Sequence, residues 1–190
     1  MRRRLLGLTL IVVVAGLGAG LLVRGVGFTA RAKSWPFEET VMVGVRRWAI
    51  PVPIRSQASP VAPSESAERA GRDHWADHCA TCHANDGSGD TAIGRSLYPP
   101  APDMRLARTQ GMSDGELFYV IERGIPFTGM PAWGTGTPSG EDASWKLVQF
   151  IRHLPALSPQ EEVEMEALNP KSAAETAKAR EIDQFLSGGK

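Results

Sequence analysis

Apolar and polar residues follow three regimes along this chain. Residues 5–23 carry no charge and are largely apolar, with Arg2, Arg3 and Arg4 before them and Arg24 after. Nineteen residues at about 1.5 Å each span about 28 Å, close to the hydrocarbon thickness of a bilayer. The run predicts a membrane-spanning helix and exceeds the apolar region of a cleaved signal. Ala30-Arg31-Ala32 could pass for a cleavage site, but it lies well beyond the run and between Arg24 and Lys33. A retained anchor over 1–33 is the expectation.

The second regime, residues 34–64, mixes a short amphipathic stretch with prolines. Pro36 suits the first turn of a helix reaching about Trp48, with Glu38 and Glu39 early and Arg46 and Arg47 late, in the order a helix dipole favours. Val41, Val45 and Trp48 share one face. The stretch is either a linker turn that packs on nothing or a helix at a membrane surface, with Trp35 and Trp48 as interfacial anchors. Pro51, Pro53, Pro60 and Pro63 then read as an extended, semi-rigid spacer.

The third regime, residues 65–156, alternates amphipathic helices with glycine- and proline-rich loops. Residues 65–83 predict a helix capped by Ser64 or Ser66, with Gly71, Trp75 and Cys79 on one face. Residues 113–124 open on a Ser113/Glu116 capping box, bury Leu117, Val120 and Ile121, and stop at Gly124. Residues 139–154 start at Ser139 or Asp142 and show a broad apolar side of Trp145, Val148, Phe150, Ile151 and Leu154 before Pro155. This helix is expected to cross the first near Gly71. Loops fill 84–112 and 125–138, and a loop as long as the first usually wraps something. Residues 157–190 are polar, with helix starts near Ser158 and Lys171, and read as a solvated tail, with a docking element as the alternative.

Charge sharpens this division. Residues 1–55 carry nine Lys/Arg and two Asp/Glu; residues 56–190 carry twelve and nineteen. A basic, membrane-proximal segment is followed by an acidic, solvated domain, which gives no support to nucleic-acid binding.

Both cysteines of the protein fall in Cys79-Ala80-Thr81-Cys82-His83. Two thiols one helical turn apart can add across the two vinyl groups of a haem, and the next residue, His83, then sits under the iron as an axial ligand. A four-cysteine zinc site is excluded, because no other cysteine exists; a mixed Cys/His site would need two scattered histidines. A thioredoxin-like redox pair would need a βαβ surround, which is absent. For a second iron ligand the best candidate is Met130, set between Gly129 and Pro131 on an irregular loop. Met104 and Met112 compete from less constrained contexts. His74, His78 and His153 allow bis-histidine ligation in principle. The first two share the motif's helix, and His153 reads as a surface residue.

From about Glu65 to Leu154 the chain resembles a class I mono-haem cytochrome c of the membrane-anchored bacterial type. The likeness rests on the Gly-x-x-x-aromatic helix running into the CxxCH motif, the proline-bearing loop, the Gly-Met-Pro at Met130 and the aromatic last helix. The resemblance implies an all-α domain around one covalent haem c, with His83 and Met130 on the iron. It also implies that Pro100 (or Pro99) offers its carbonyl to the His83 ring. The porphyrin is expected to be buried by Leu97, Tyr98, Phe118 and Trp133, with Arg95, Arg105 or Trp133 near the propionates. The family's glycine after the motif histidine is replaced by Ala84, expected to be tolerated because alanine is nearly as small. The implied activity is one-electron transfer between respiratory redox proteins, from the periplasmic face of a bacterial inner membrane, with no small-molecule substrate. A fixed subunit of a larger oxidoreductase complex is the alternative, and a haem enzyme or gas sensor with a labile distal ligand the more remote one.

Overall fold

The computed structural model describes residues 2–27, 29–30, 34 and 36–186, and all regular structure among them is helical. The chain divides into two compact units, residues 1–33 and 34–190. The first consists of α1 (Arg2–Val26). Its segment Leu6–Gly25 has a mean hydropathy of 2.5 and buries none of its residues within the protein, so it is long and apolar enough to cross a membrane. The Arg31 and Ala32 of the possible cleavage triplet, and Trp35, lie outside the described residues.

The second unit is built on a crossing of two helical rods. One consists of α4 (Glu65–His74), a π-helical turn (Trp75–Cys79) and α5 (Ala80–His83) in unbroken succession. The other is α8 (Pro138–His153). Ser64 caps α4 as expected, its hydroxyl accepting from the Ala67 amide at 3.2 Å. At the crossing, a Cβ on Gly71 would lie 2.1 Å from the Lys146 carbonyl oxygen and 3.1 Å from the Phe150 Cβ. The two backbones therefore touch, and only glycine permits it. Trp75, Leu147, Val148, Phe150, Ile151 and Leu154 are all at most 2% exposed and form the centre of the core.

The π turn changes the helix face. The buried stripe runs from Ala67 and Gly71 through Trp75 and Ala76 to Ala80. Cys79, expected on that stripe, sits half-buried at its edge. A π turn takes one more residue than an α turn, which shifts the helical register by that residue. The start of α8 also differs: Thr137 caps it, accepting from the Gly140 amide at 3.2 Å, and Pro138 takes the first turn, where its missing N–H costs nothing.

Short helix α6 (Ala107–Gln110) leads into α7 (Asp114–Arg123). The Ser113/Glu116 capping box is complete, and Leu117 and Ile121 enter the core. Phe118 stacks on Trp145 with ring centroids 4.2 Å apart.

Residues 36–61 lie against this core. Helix α2 (Pro36–Ala49) places Glu38 on the Tyr98 hydroxyl (2.6 Å), pairs Glu39 with Arg108, and sets Arg47 on the buried Glu116 (3.4 Å). Ile50 is 1% exposed. Helix α3 (Val52–Arg55) follows; the Ser113 hydroxyl donates to the Arg55 carbonyl at 2.6 Å, and Gly115 abuts the Ile54 carbonyl. Farther on, the Gln149 amide donates to the Val61 carbonyl at 2.8 Å. The stretch read as an extended spacer is thus laid along the domain.

Beyond α8, α9 (Pro159–Glu166) docks as well. Met165 is fully buried, and Glu164 meets Arg72 at 3.0 Å. Helix α10 (Ala173–Leu186) is exposed almost throughout its described residues.

Candidate functional site

The motif residues lie at the end of the first rod. Cys79 and Cys82 are free, half-buried thiols. Burial, with a smaller push from Cys82, raises the Cys79 thiol to about 12, so it keeps its proton. Burial likewise lowers the His83 imidazole to about 4, so the ring is neutral at physiological pH. Its Nδ1 is buried with no hydrogen-bond partner. A neutral imidazole has the protonation state that binding a metal would require.

Trp75 fixes this corner. Its ring lies 5.6 Å from the His83 ring, centroid to centroid, and its Nε1 donates to the Ala84 carbonyl at 2.9 Å. Ala84 has φ 61° and ψ 162°, a region populated almost only by glycine. The expectation based on size addressed the wrong property. What the position demands is backbone conformation, and alanine holds it under strain.

The long loop wraps the motif itself. The Gly89 amide donates to the His83 carbonyl at 2.8 Å. The Thr91 hydroxyl donates to the Thr81 carbonyl at 2.9 Å and accepts from the Gly94 amide at 2.8 Å. Gly94 lies so close that a Cβ there would stand 2.2 Å from the Cys82 carbonyl oxygen. Nothing in the sequence marked Thr91, because its partners are main-chain groups. Arg105 is held by Asp103 and Asp86, each at 2.7 Å, and Arg95 pairs with Asp90 on the surface. Both arginines named for propionates therefore already have carboxylate partners. Pro100 is exposed and Pro99 half-buried, and neither carbonyl meets the His83 Nδ1. Tyr98 turns its hydroxyl outward to Glu38.

The Gly-Met-Pro loop closes on itself. The Ile125 amide donates to the Met130 carbonyl (3.0 Å), the Thr128 hydroxyl to the Ile125 carbonyl (2.8 Å), and the Met130 amide to the Thr128 hydroxyl (3.1 Å). The Trp133 amide then bonds the Ile121 carbonyl at 3.0 Å, tying the strip to α7. Gly129 packs against Leu97, so this loop meets the one that wraps the motif. Trp133 sets its ring 5.5 Å from that of His78, edge to face. Met130 itself is half-buried.

The competing ligands are engaged elsewhere. Met112 is in the core, its sulfur 3.8 Å from an Arg46 guanidinium nitrogen. Met104 packs against the same core. His153, expected at the surface, is half-buried between Glu161 (3.0 Å) and Glu68 (3.4 Å). His74 and His78 form an edge-to-face pair on the motif's own rod.

Two free thiols and a buried neutral imidazole on one helix end, with a methionine-bearing loop that touches the same rod through Trp133 and His78, suit a covalently held haem. This chemistry on an all-helical scaffold defines a cytochrome c domain. Residues 66–151 match the family model described as "Cytochrome C oxidase, cbb3-type, subunit III". The matched stretch, somewhat under half of the chain, is similar to a cytochrome c domain, and an apolar helix long enough to cross a bilayer precedes it in the sequence. That class carries haem c and transfers electrons.

Proposed function

We propose that Cys79 and Cys82 would hold a haem through two thioethers and that His83 and Met130 would bind its iron. The bound haem supplies the one-electron redox chemistry. The protein contributes position and environment. The π turn and the Thr91 bonds orient the motif, Trp75 closes the His83 side, and the self-bonded loop presents the Met130 sulfur. A thioether opposite imidazole raises the potential relative to two nitrogens. With His83 and Met130 both given to the iron, the domain would pass electrons and leave no place for a substrate. The buried, neutral His83 beside two free thiols is the observation that carries this reading.

The domain faces the periplasm and exchanges electrons with redox proteins in or at the same membrane. Its acidic composition over residues 56–190 favours a basic partner surface and salt-sensitive association. With α2 and α3 laid on the domain, the tether is short. That shortness, and the subunit description of the matched family, favour a fixed place in a respiratory complex over a freely ranging shuttle. Purification in mild detergent separates the two: a subunit brings other chains with it, and a carrier leaves alone.

The ligand set is tested in the full, haem-loaded chain. Met130→Ala should lower the potential and let the ferrous form bind CO. An unchanged reduced spectrum with no CO binding would move the ligand elsewhere. Acid–acetone extraction should leave the pigment on the polypeptide; pigment that washes out overturns the covalent attachment.

A further inference from the structure

Helix α2 has two faces of opposite use. Glu39, Val43, Arg46 and Ile50 follow one another at helical spacing, and this side meets the domain through the Glu39–Arg108 pair, the Arg46–Met112 contact and the buried Ile50. The opposite side presents Phe37, Val41, Val45 and Trp48, which are 78%, 42%, 50% and 84% exposed. A Cβ on Gly44, on that same side, would meet nothing within 4 Å. An amphipathic helix normally turns its apolar side inward. Here a mixed side of two charged and two apolar residues is inward, held by the Glu39–Arg108 pair and the buried Ile50, and a stripe with two large aromatics faces out.

We infer that this stripe lies in the interfacial layer of the lipid bilayer that α1 is fit to span. Three observations select lipid as the occupant. Only nine residues, 27–35, separate α1 from α2, and fully extended they reach about 30 Å. The helix therefore cannot leave the neighbourhood of the membrane surface. The stripe has the make-up of an interfacial helix, with Trp and Phe beside smaller apolar residues. Finally, residues 24–55 contain six Lys/Arg and two Asp/Glu. The two glutamates are spent on Tyr98 and Arg108, and Arg46 and Arg47 on Met112 and Glu116; Arg24, Arg31, Lys33 and Arg55 still leave the segment net basic toward anionic headgroups. The consequence is a domain seated on the membrane, with its orientation set by α2.

The test uses the full haem-loaded chain in vesicles of phosphatidylethanolamine with a minority of phosphatidylglycerol. Val45→Cys carries a nitroxide; Gln160→Cys, at an exposed position of α9, is the aqueous reference. The unsubstituted chain shows whether label also reaches Cys79 and Cys82, which separates a failure of the haem reading from a failure of this one. Position 45 should be about tenfold less accessible than position 160 to a water-soluble nickel chelate, and more accessible to oxygen. Equal accessibility at both positions overturns the inference. Protection in native membranes but not in vesicles also overturns it, by assigning the stripe to a protein partner. Val41→Cys repeats the measurement if the first variant loses its haem spectrum.

Discussion

The two sides of the motif are held by different means. On one, the rod from Glu65 to His83 presses on α8 through Gly71, Trp75 and Phe150, and the contact is fully buried. On the other, residues 125–134 follow a path fixed by backbone hydrogen bonds, while Phe127 is 95% exposed and Trp133 36%. The first side is set by close packing, where a single methyl group is felt. The second is set in its course but buries little apolar surface against the protein. Substitutions on the first side should therefore act through stability. Substitutions on the second, such as that at Met130, should act through the spectrum and potential and leave the fold in place.

The largest effect falls at Gly71. Alanine is the better helix former by about 1 kcal/mol, so propensity alone favours Gly71→Ala. Against this, the new Cβ would stand 2.1 Å from a backbone carbonyl oxygen of α8, which cannot swing aside as a side chain could. Separating the two helices costs more than the propensity returns, and we expect a net loss of about 2 kcal/mol. Urea denaturation followed by circular dichroism measures it. A neutral or stabilising result would mean that the crossing is not tightly closed, and the contrast between the two sides would fail.

The parts legible in the sequence were those with local signals. The CxxCH spacing, the Ser113/Glu116 capping box and the apolar side of α8 all lie within a few turns of chain, and Gly71 is a small residue on a helix that needed a partner. The π turn was not legible, because a one-residue offset leaves no mark in composition and is decided by what Trp75 and Ala80 pack against. Nor was the docking of residues 36–57. Glu38–Tyr98 and Arg47–Glu116 join positions 60 and 69 residues apart, and each charge alone looks like a solvated surface residue. Met165 was hidden for a similar reason: a single methionine among glutamates does not announce that α9 is docked. At the site, Arg95 and Arg105 were read for their charge, but the acidic residues of their own loop take that charge up.

A smaller effect sharpens the description of the packed side at its far end, where Glu161 meets His153 and the Ser158 cap. Burial raises the Glu161 carboxyl, but the Ser158 and His153 hydrogen bonds outweigh it and bring the group from 4.5 down to about 2. A carboxyl with a lowered folded-state value contributes its stability above the unfolded value and loses it as pH falls through the folded one. Glu161→Gln should thus cost about 1–2 kcal/mol at neutral pH. The gap between variant and parent should close as pH falls from 4.5 toward 2. Thermal melts of both proteins across that range test it. A gap that stays constant with pH would show that the carboxylate's charge is not what holds α9 to α8.

The smallest expected change has the opposite sign and sits where the two sides meet. Ala84 follows the motif histidine at φ 61° and ψ 162°, and its carbonyl and amide are both committed, the one to Trp75 Nε1 and the other to the Ala80 carbonyl. Those two bonds hold a conformation that costs a residue with a Cβ about 1–3 kcal/mol. Glycine removes that cost and adds back about 0.5–1 kcal/mol of unfolded-state freedom. Ala84→Gly should therefore stabilise the domain by about 1 kcal/mol, with no change in haem spectrum. The same substitution is destabilising almost anywhere else in a helix-rich domain, so its sign is diagnostic. A less stable glycine variant would show that residue 84 does not adopt a positive φ in solution. The Trp75 bond that closes the His83 side would then have to be made in another way.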